Sequence, residues 1–225
     1  RVLARPHPRV VVLSVVGDDP ARADIESPLL AAAFKADGAQ VWRVSNASGT
    51  DRELRDTISD QLIRADLVVV CGDLSDEAQL PRVVASMGLV DMADVACQPG
   101  GRMGFAIVGE DEIPLLMLPN EAVEAYCDYQ LFARPLLRKL MGAPVITRPM
   151  VDYLAGGELR GREGIVSLRL GAVREEQGEK VVVPLGKPDH PRLSDLVSAD
   201  ALIVLDETGP VISLGERVGC WLLND

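Results

Sequence analysis

Short runs of β-branched residues alternate with helical patterns over the first 142 residues of the chain. The runs RVVVLSVV, AQVWRV and DLVVVC predict strands, and the last is nearly all apolar, as in a strand covered on both faces. Between them lie two predicted helices. SPLLAAAFKADG has Asp24 as a possible cap and Gly38 beyond its end, and TDRELRDTISDQLIRA has Thr50 and Glu53 at capping-box spacing. The βαβαβ order predicts an α/β fold, a three-layer domain with a mostly parallel, doubly wound sheet.

The pattern changes after the segment MGAPVITRP. Before it, RMGFAIVGEDEIPLLML predicts two strands joined at GEDE, and AVEAYCDYQLFARPLLRKL predicts a long closing helix. After it, GIVSLRLGAVREEQGEKVVVPLG has the alternation of a β-hairpin, and VGCWLL predicts a final short strand. We therefore expect an α/β domain over residues 1–142 and a small all-β domain over 143–225. In the α/β domain a ligand should meet the loops at the carboxyl ends of the strands.

Composition narrows the class of protein. The net charge of −11 and the pI near 4.7 disfavour nucleic acid, because a phosphate backbone would be repelled. No uninterrupted apolar run approaches the roughly 20 residues that span a bilayer, so no membrane insertion is expected. The first residues show neither an initiator Met nor a signal pattern, which suggests a starting point inside a longer protein.

The cysteines and histidines offer little metal or nucleophile chemistry. Four cysteines lack CxxC spacing, and only His7 and His190 could join them, so we predict no metal site and no disulfide. Reduced, buried thiols in a cytoplasmic protein are the expected state. Two distant histidines also supply a Ser-His-Asp or Cys-His system poorly.

Several segments of the chain carry a family resemblance. VVVLS, ADLVVVCGDLS, QPGGRMGFA, LPNEAVEAYCDYQLFARPLLRKLMG and PRLSDLVSADALIVL resemble the MoeA/gephyrin family of molybdopterin molybdenumtransferases, from about Arg5 to Leu223. The resemblance implies a MogA-like α/β domain followed by a small β-barrel, the third and fourth domains of such a protein. It also implies that the family's two N-terminal domains are absent from this chain.

The three ligand loops that the resemblance points to depart from the family pattern. The family's SGGVSVGxxD becomes CGDLSDEAQL, so the loop's acidic residue falls on Leu80. KPGKP becomes QPGGR, which removes both lysines, and LPGNPVSA becomes LPNEAVEA. The resemblance thus marks a former molybdopterin cleft, comprising Gly72, Asp73, Ser75, Gln98, Gly101, Arg102, Asn120 and Glu121.

The changed residues act against an anionic ligand. The implied ligand carries a phosphate and is loaded with molybdate, yet the loops gain carboxylates and keep Arg102 as their one plausible cation. A pair of unit charges ~5 Å apart at an effective dielectric near 20 interacts by roughly 3 kcal/mol. We therefore expect no cofactor, with molybdopterin, magnesium and molybdate required only if the chain is an enzyme. Two plainer explanations stay open: acids that favour a helix N-terminus, and a solvated Arg102.

Aromatic residues suggest a different use of the chain. Tyr126, Tyr129 and Phe132 follow one another at i, i+3 and i+6 on the closing helix, either as core or dimer packing or as a partner groove. We group Tyr153 with them as a partner-binding candidate. Family members of the gephyrin type dimerise and hold a receptor peptide, and an actinobacterial branch binds FtsZ at the divisome.

Three functional hypotheses therefore stand. The first is a non-catalytic homodimeric adaptor that binds a protein or peptide partner of FtsZ type, which the altered loops favour. The second is a working molybdopterin molybdenumtransferase in molybdenum cofactor biosynthesis, which the framework favours. The third is molybdopterin binding or storage without turnover.

Overall fold

The computed structural model describes residues 7–15, 23–44, 47 and 49–223. These residues divide into two compact units. The first takes the described residues up to 95 together with 102–147, and the second takes 96–101 together with 148–223. The sequence analysis instead assigned residues 96–101 to the first domain.

The helices and strands follow one another in a long alternation. In chain order they are β1 (Arg9–Ser14), α1 (Glu26–Ala36), β2 (Gln40–Val44), α2 (Asp51–Leu62), β3 (Leu67–Gly72), α3 (Gln79–Ala85), β4 (Gly88–Asp94), β5 (Cys97–Gln98), β6 (Arg102–Val108), β7 (Ile113–Pro119), α4 (Ala122–Asp128), a π-helical turn (Tyr129–Ala133), α5 (Arg134–Leu140), β8 (Val151–Ala155), β9 (Leu159–Arg160), β10 (Val166–Glu176), β11 (Glu179–Pro184), α6 (Leu193–Val197), β12 (Ala201–Leu205), β13 (Val211–Ile212) and β14 (Arg217–Leu222).

The first unit is a three-layer α/β structure, as predicted. Its sheet has the order β2-β1-β3-β7-β6-β4, in which β2, β1, β3 and β7 run parallel and β6 is antiparallel to both of its neighbours, β7 and β4. Helices α2 and α3 pack on one face of the sheet, and α1 and the closing helix pack on the other. Alternate residues of β1 serve the two cores, since Val11 faces the first and Val10 the second.

Local sequence signals set the ends of the first two helices. Thr50 and Glu53 form the predicted capping box at the start of α2, with the Glu53 N–H donating to the Thr50 hydroxyl over 3.3 Å. Before α1, the Asp24 carboxylate accepts the N–H of Ser27 at 3.0 Å. After α1 the chain turns at Gly38, whose φ of 96° favours glycine.

The second unit contains a closed barrel. The strands β11, β8, β14, β12 and β10 lie side by side in that order, and β10 pairs with β11 to close the ring. The first residues of β10 also pair with β5, through Val166 with Cys97 and Ser167 with Gln98. An apolar core of barrel residues fills its interior, including Val182, Ala201, Ile203, Leu205 and Cys220.

Strand β5 reaches the barrel through a loop that leaves the first unit's sheet. Strand β4 ends at Asp94 and the antiparallel strand β6 begins at Arg102, and these two residues pair with each other. Residues 95–101 form the loop between the two strands. Two consecutive glycines in this loop, Gly100 and Gly101, have φ values of 90° and 103°. The short strand was not predicted, because two residues carry no periodicity.

Two simpler properties concern the described residues as a whole. None of their helices combines the length and the apolarity that crossing a membrane requires. All four cysteines are buried and none is in a disulfide, and burial raises the pKa of the Cys71 thiol.

Candidate functional site

Five of the former-cleft residues lie at one edge of the first unit's sheet. Gly72, Asp73 and Ser75 end or follow β3, and Asn120 and Glu121 follow β7. Since β3 and β7 are adjacent and parallel, their carboxyl ends bring these residues to the same edge. This is the edge at which the sequence analysis expected a ligand.

The loop after β3 is closed by its own hydrogen bonds. The Asp73 carboxylate accepts the Ser75 N–H at 2.9 Å and the Ser75 hydroxyl at 3.1 Å. Just beyond the loop, Arg82 donates from Nε and Nη2 to the two oxygens of Asp51 at 3.1 and 3.0 Å. These bonds lower the pKa of Asp51. The polar side chains of this segment therefore make most of their hydrogen bonds to one another.

Leu80 occupies the position of the family's acidic residue and is part of the core. Its side chain is 1% exposed and packs with Val83 and Val84 of α3. A Cβ built on Gly72 would lie only 2.7 Å from Leu80 Cδ2, so the leucine fills the space in front of that glycine. Apolar packing therefore stands where the family pattern has a carboxylate.

Arg102 is held inside the first unit by three acceptors. Its Nε donates to the Leu74 carbonyl at 2.7 Å, and its Nη1 donates to both oxygens of Asp94 at 3.0 and 3.1 Å. Its Nη2 pairs with Asp76. The hydrogen bond to Asp76 is the largest cause of the raised pKa of Arg102. The guanidinium thus neutralises two carboxylates and ties the β3 loop to β4, and it does not present an open cation.

The start of the closing helix adds negative charge to the same edge. Glu121 precedes α4 and makes no side-chain cap, and Glu124 follows one turn later. Burial, and then the charge of Glu121, raise the pKa of Glu124. A bound anion here would meet the same negative charge of Glu121 that already disfavours ionisation of Glu124.

Gln98 and Gly101 belong to the second unit, where Gln98 lines a cavity rich in arginine. The cavity has a volume of about 450 Å³. Gln98 accepts a hydrogen bond from Arg162 at 2.6 Å, and its Nε2 lies 3.5 Å from an Asp189 oxygen. The complete lining comprises Gln98, Arg160, Gly161, Arg162, Ser167, Leu168, Arg169, Pro188 and Asp189.

The arginines of this cavity differ in how well their charges are matched. Arg160 pairs with Glu158 at 2.7 Å. Arg169 is half-buried, and within the described residues no hydrogen bond or ion pair joins its guanidinium to a partner. Burial lowers the pKa of Arg169, and the negative charge of Asp189 acts in the opposite direction and raises it. An oxyanion in the cavity would accept hydrogen bonds from the Arg169 guanidinium, which no described residue does. The sequence analysis missed these arginines, although RGREGIVSLR carries them at short intervals.

The four aromatic candidates have different surroundings. Tyr129 is 0% exposed, packs edge-on against Phe34 at 4.8 Å between ring centroids, and donates its hydroxyl to Asp37 at 2.5 Å. It is therefore a core residue, which agrees with the core-packing alternative of the sequence analysis and not with a partner surface. Tyr126 is partly exposed and stacks on Tyr129 at 6.1 Å. Phe132 packs partly on the same core, and Tyr153 on the barrel core.

Among the described residues no group of three or more His, Cys, Asp or Glu side chains is arranged to hold a metal ion. Among the described residues, the arginine-lined cavity and the strand edge are the two places that the sequence-predicted cleft residues reach. The fold and the two sites together define the class of this protein. It has an α/β unit and a β-barrel unit, with candidate polar sites at the carboxyl ends of β3 and β7 and in the barrel unit.

Comparison with known proteins narrows this class to a family. Residues 156–223 match the MoeA C-terminal region, domain IV. The chain is 30% identical to molybdopterin molybdenumtransferase 1 of Mycobacterium tuberculosis, over 97% of this chain and 55% of that protein. It is 27% identical to molybdopterin molybdenumtransferase 2 of the same organism, over 88% and 50%. The chain therefore spans about half the length of these curated relatives.

A solved structure supports the same fold. The molybdopterin biosynthesis MoeA protein from Pyrococcus horikosii superposes with a TM-score of 0.78 at 19% identity, over 97% of this chain and 55% of that one. The resemblance found in the sequence is confirmed, and the chain is a MoeA-family protein. The predicted α/β layer structure and the following barrel are likewise confirmed.

Proposed function

We propose that this chain belongs to a non-catalytic MoeA-family adaptor, a cytoplasmic homodimer that binds a protein partner of FtsZ type. The observation that carries the proposal is the state of Arg102. It is the one cation among the eight former-cleft residues, and Asp76, Asp94 and the Leu74 carbonyl take up its guanidinium. The partner and the dimer come from the family resemblance.

The surroundings of Arg102 support the same proposal. Leu80 places apolar packing where an acidic residue would stand, and Glu121 and Glu124 add negative charge after β7. Replacing an attraction of roughly 3 kcal/mol by a repulsion of the same size would lower affinity for a phosphate by several orders of magnitude. Such a loss removes substrate binding before any chemistry begins.

Complementation tests the proposal. The natural protein that contains this chain is expressed in a bacterial strain lacking its MoeA, and molybdoenzyme activity is measured. Molybdopterin molybdenumtransferase 1 of Mycobacterium tuberculosis serves as the positive control. We expect the control to restore activity and this protein to restore none at equal abundance. Restored activity would overturn the proposal and favour the enzyme.

A second candidate function, binding of molybdate or of a phosphate group, is favoured by the arginine-lined cavity. Arg162 and Arg169 face a space of about 450 Å³, and Arg169 has no matched partner within the described residues. Isothermal titration of the protein with molybdate, and with sulfate as a comparison, measures this binding. Arg162→Gln and Arg169→Gln should each weaken it about tenfold, whereas Arg174→Gln, on the exposed part of β10, should not.

The two experiments together separate the hypotheses. Molybdate binding with failed complementation supports binding or storage without turnover. Molybdate binding with complementation supports the molybdenumtransferase. No binding at the cavity and no complementation leave the adaptor as the only one of the three functions supported.

A further inference from the structure

We propose that the open edge of strand β2 is a docking site for an extended acidic peptide. β2 is the outermost strand of the first unit's sheet, and within the described part of the chain only β1 pairs with it. The inference rests on the proposed adaptor function, and it names where and how a partner segment would bind.

Among the residues that the structure describes, no strand bonds to the outward-facing N–H and C=O groups of β2. The N–H of Gln40 donates to the Pro8 carbonyl at 2.9 Å, on the side of β1. Because successive residues of a strand point their peptide groups to opposite sides, those of Val41 and Arg43 face the open edge. An added strand would bond to these groups, as in other cases of strand addition.

A groove runs beside this edge on the α1 side of the sheet. Its volume is about 330 Å³, and its floor is formed by small and apolar side chains. The exposed cations Lys35 of α1 and Arg43 of β2 stand at its rim. The lining comprises Pro28, Ala31, Ala32, Lys35, Val41 and Arg43.

Charge decides the kind of peptide. The chain as a whole carries a net charge of −11, yet neither Lys35 nor Arg43 makes an ion pair within the described residues. A peptide with carboxylates on the groove side would supply two counter-charges, and an apolar residue between them would cover the floor. On the opposite face of the added strand, alternate residues would meet Trp42, which is 39% exposed.

Peptide selection tests the proposal whatever the identity of the partner. A displayed library of random short peptides is selected on the full natural protein, and enriched peptides are synthesised with a fluorescent label. We expect them to carry acidic residues four positions apart with an apolar residue midway between them, so that all three fall on the groove side of the added strand. Lys35→Glu and Arg43→Glu should each weaken binding about tenfold, while Lys139→Glu, an exposed cation on α5, should leave it unchanged.

A backbone variant separates strand addition from simple charge attraction. Val41→Pro removes an outward N–H but no hydrogen bond to β1, so the fold should persist by circular dichroism while peptide affinity falls at least tenfold. In the unaltered protein, hydrogen exchange of the Val41 and Arg43 amides should slow when the peptide binds.

Three results would overturn the proposal. They are a selection without enrichment of acidic peptides, binding that survives the double reversal of Lys35 and Arg43, and a reversal that changes sedimentation with no peptide present. The last would identify the edge as a contact between two copies of the protein. None of these results bears on complementation, so the docking site and the non-catalytic function fail separately.

Discussion

The buried cluster of Asp37, Tyr129 and Arg134 makes a quantitative prediction about the first unit. Arg134 Nε donates to both oxygens of Asp37 at 3.1 Å, and the Tyr129 hydroxyl donates to one of them. The side chains of Arg134 and Asp37 are only 11% and 14% exposed. Within the described residues, Nη1 of Arg134 has no hydrogen-bond partner. Asp37 is therefore the principal partner of this buried charge.

Replacing Asp37 by Ala should destabilise the protein by about 4 kcal/mol. Removing one partner of a buried ion pair costs about 3–5 kcal/mol, because the other charge stays buried without compensation. For a unit of this size, that loss lowers Tm by roughly 8–16 °C. Tyr129→Phe removes only one hydrogen bond to a charged group and should cost about 1.5–3 kcal/mol.

Urea unfolding followed by circular dichroism measures these values, with one matched control. The triple variant Asp37→Leu, Arg134→Met and Tyr129→Phe removes every polar member of the cluster together and should lie within about 1–2 kcal/mol of the natural protein. A loss below about 1 kcal/mol for Asp37→Ala would refute the reasoning, since it would mean that water solvates Arg134 in the folded state.

Three further predictions concern the pH dependence of stability, the buried Leu80 of α3 and the glycine turn at Gly101. Burial, with the hydrogen bond to Asp37, raises the pKa of Tyr129. The stability that this shift contributes is therefore complete below the unfolded pKa of about 10 and is lost as the pH rises beyond it. Between about pH 9 and 11 the free energy of unfolding, measured with urea, should fall less for Tyr129→Phe than for the natural protein. Leu80→Asp should cost more than about 3 kcal/mol by burying a carboxylate, while Leu80→Met stays within about 1.5 kcal/mol; equal unfolding midpoints would contradict the burial argument. Gly101→Lys should lower the free energy of unfolding by about 1–3 kcal/mol, because Gly101 has a φ of 103°. Gln98→Lys, a step back toward the family motif, should fold normally and strengthen molybdate binding in calorimetry. An unchanged molybdate affinity would count against the cavity as a binding site.

The features that were predicted correctly are those with strong local signals. The apolar run of β3, the capping box of Thr50 and Glu53, and the turn between β6 and β7 each carry their own pattern over several residues. Helix α3 was missed because it has only seven residues and contains Pro81. Local patterns thus gave the layers of the α/β unit but not its shorter elements.

The candidate site was harder to predict, because its character depends on contacts between distant residues. Arg102 looks like an open cation in the sequence, and only folding brings Asp76 and Asp94 to it. For Tyr129 the spacing left core packing and a partner groove open, and the folded chain buries this side chain at the start of the π-helical turn. Arg162 and Arg169 are close in sequence, but only the folded chain shows that they line one cavity together with the distant Gln98 and Asp189.

The excursion of residues 95–101 has a consequence for the order in which a ribosome releases the chain. Strand β5 emerges before any strand of the barrel, and its neighbour β10 begins only at Val166. During synthesis β4 can pair with β6 early, which brings Asp94 and Arg102 together at the base of the loop. The β5–β10 pair can form only later, after the ribosome has released β10. A gene segment that starts at residue 148 therefore encodes an incomplete barrel unit, and an exchange of this unit between proteins would have to carry two separate pieces of sequence.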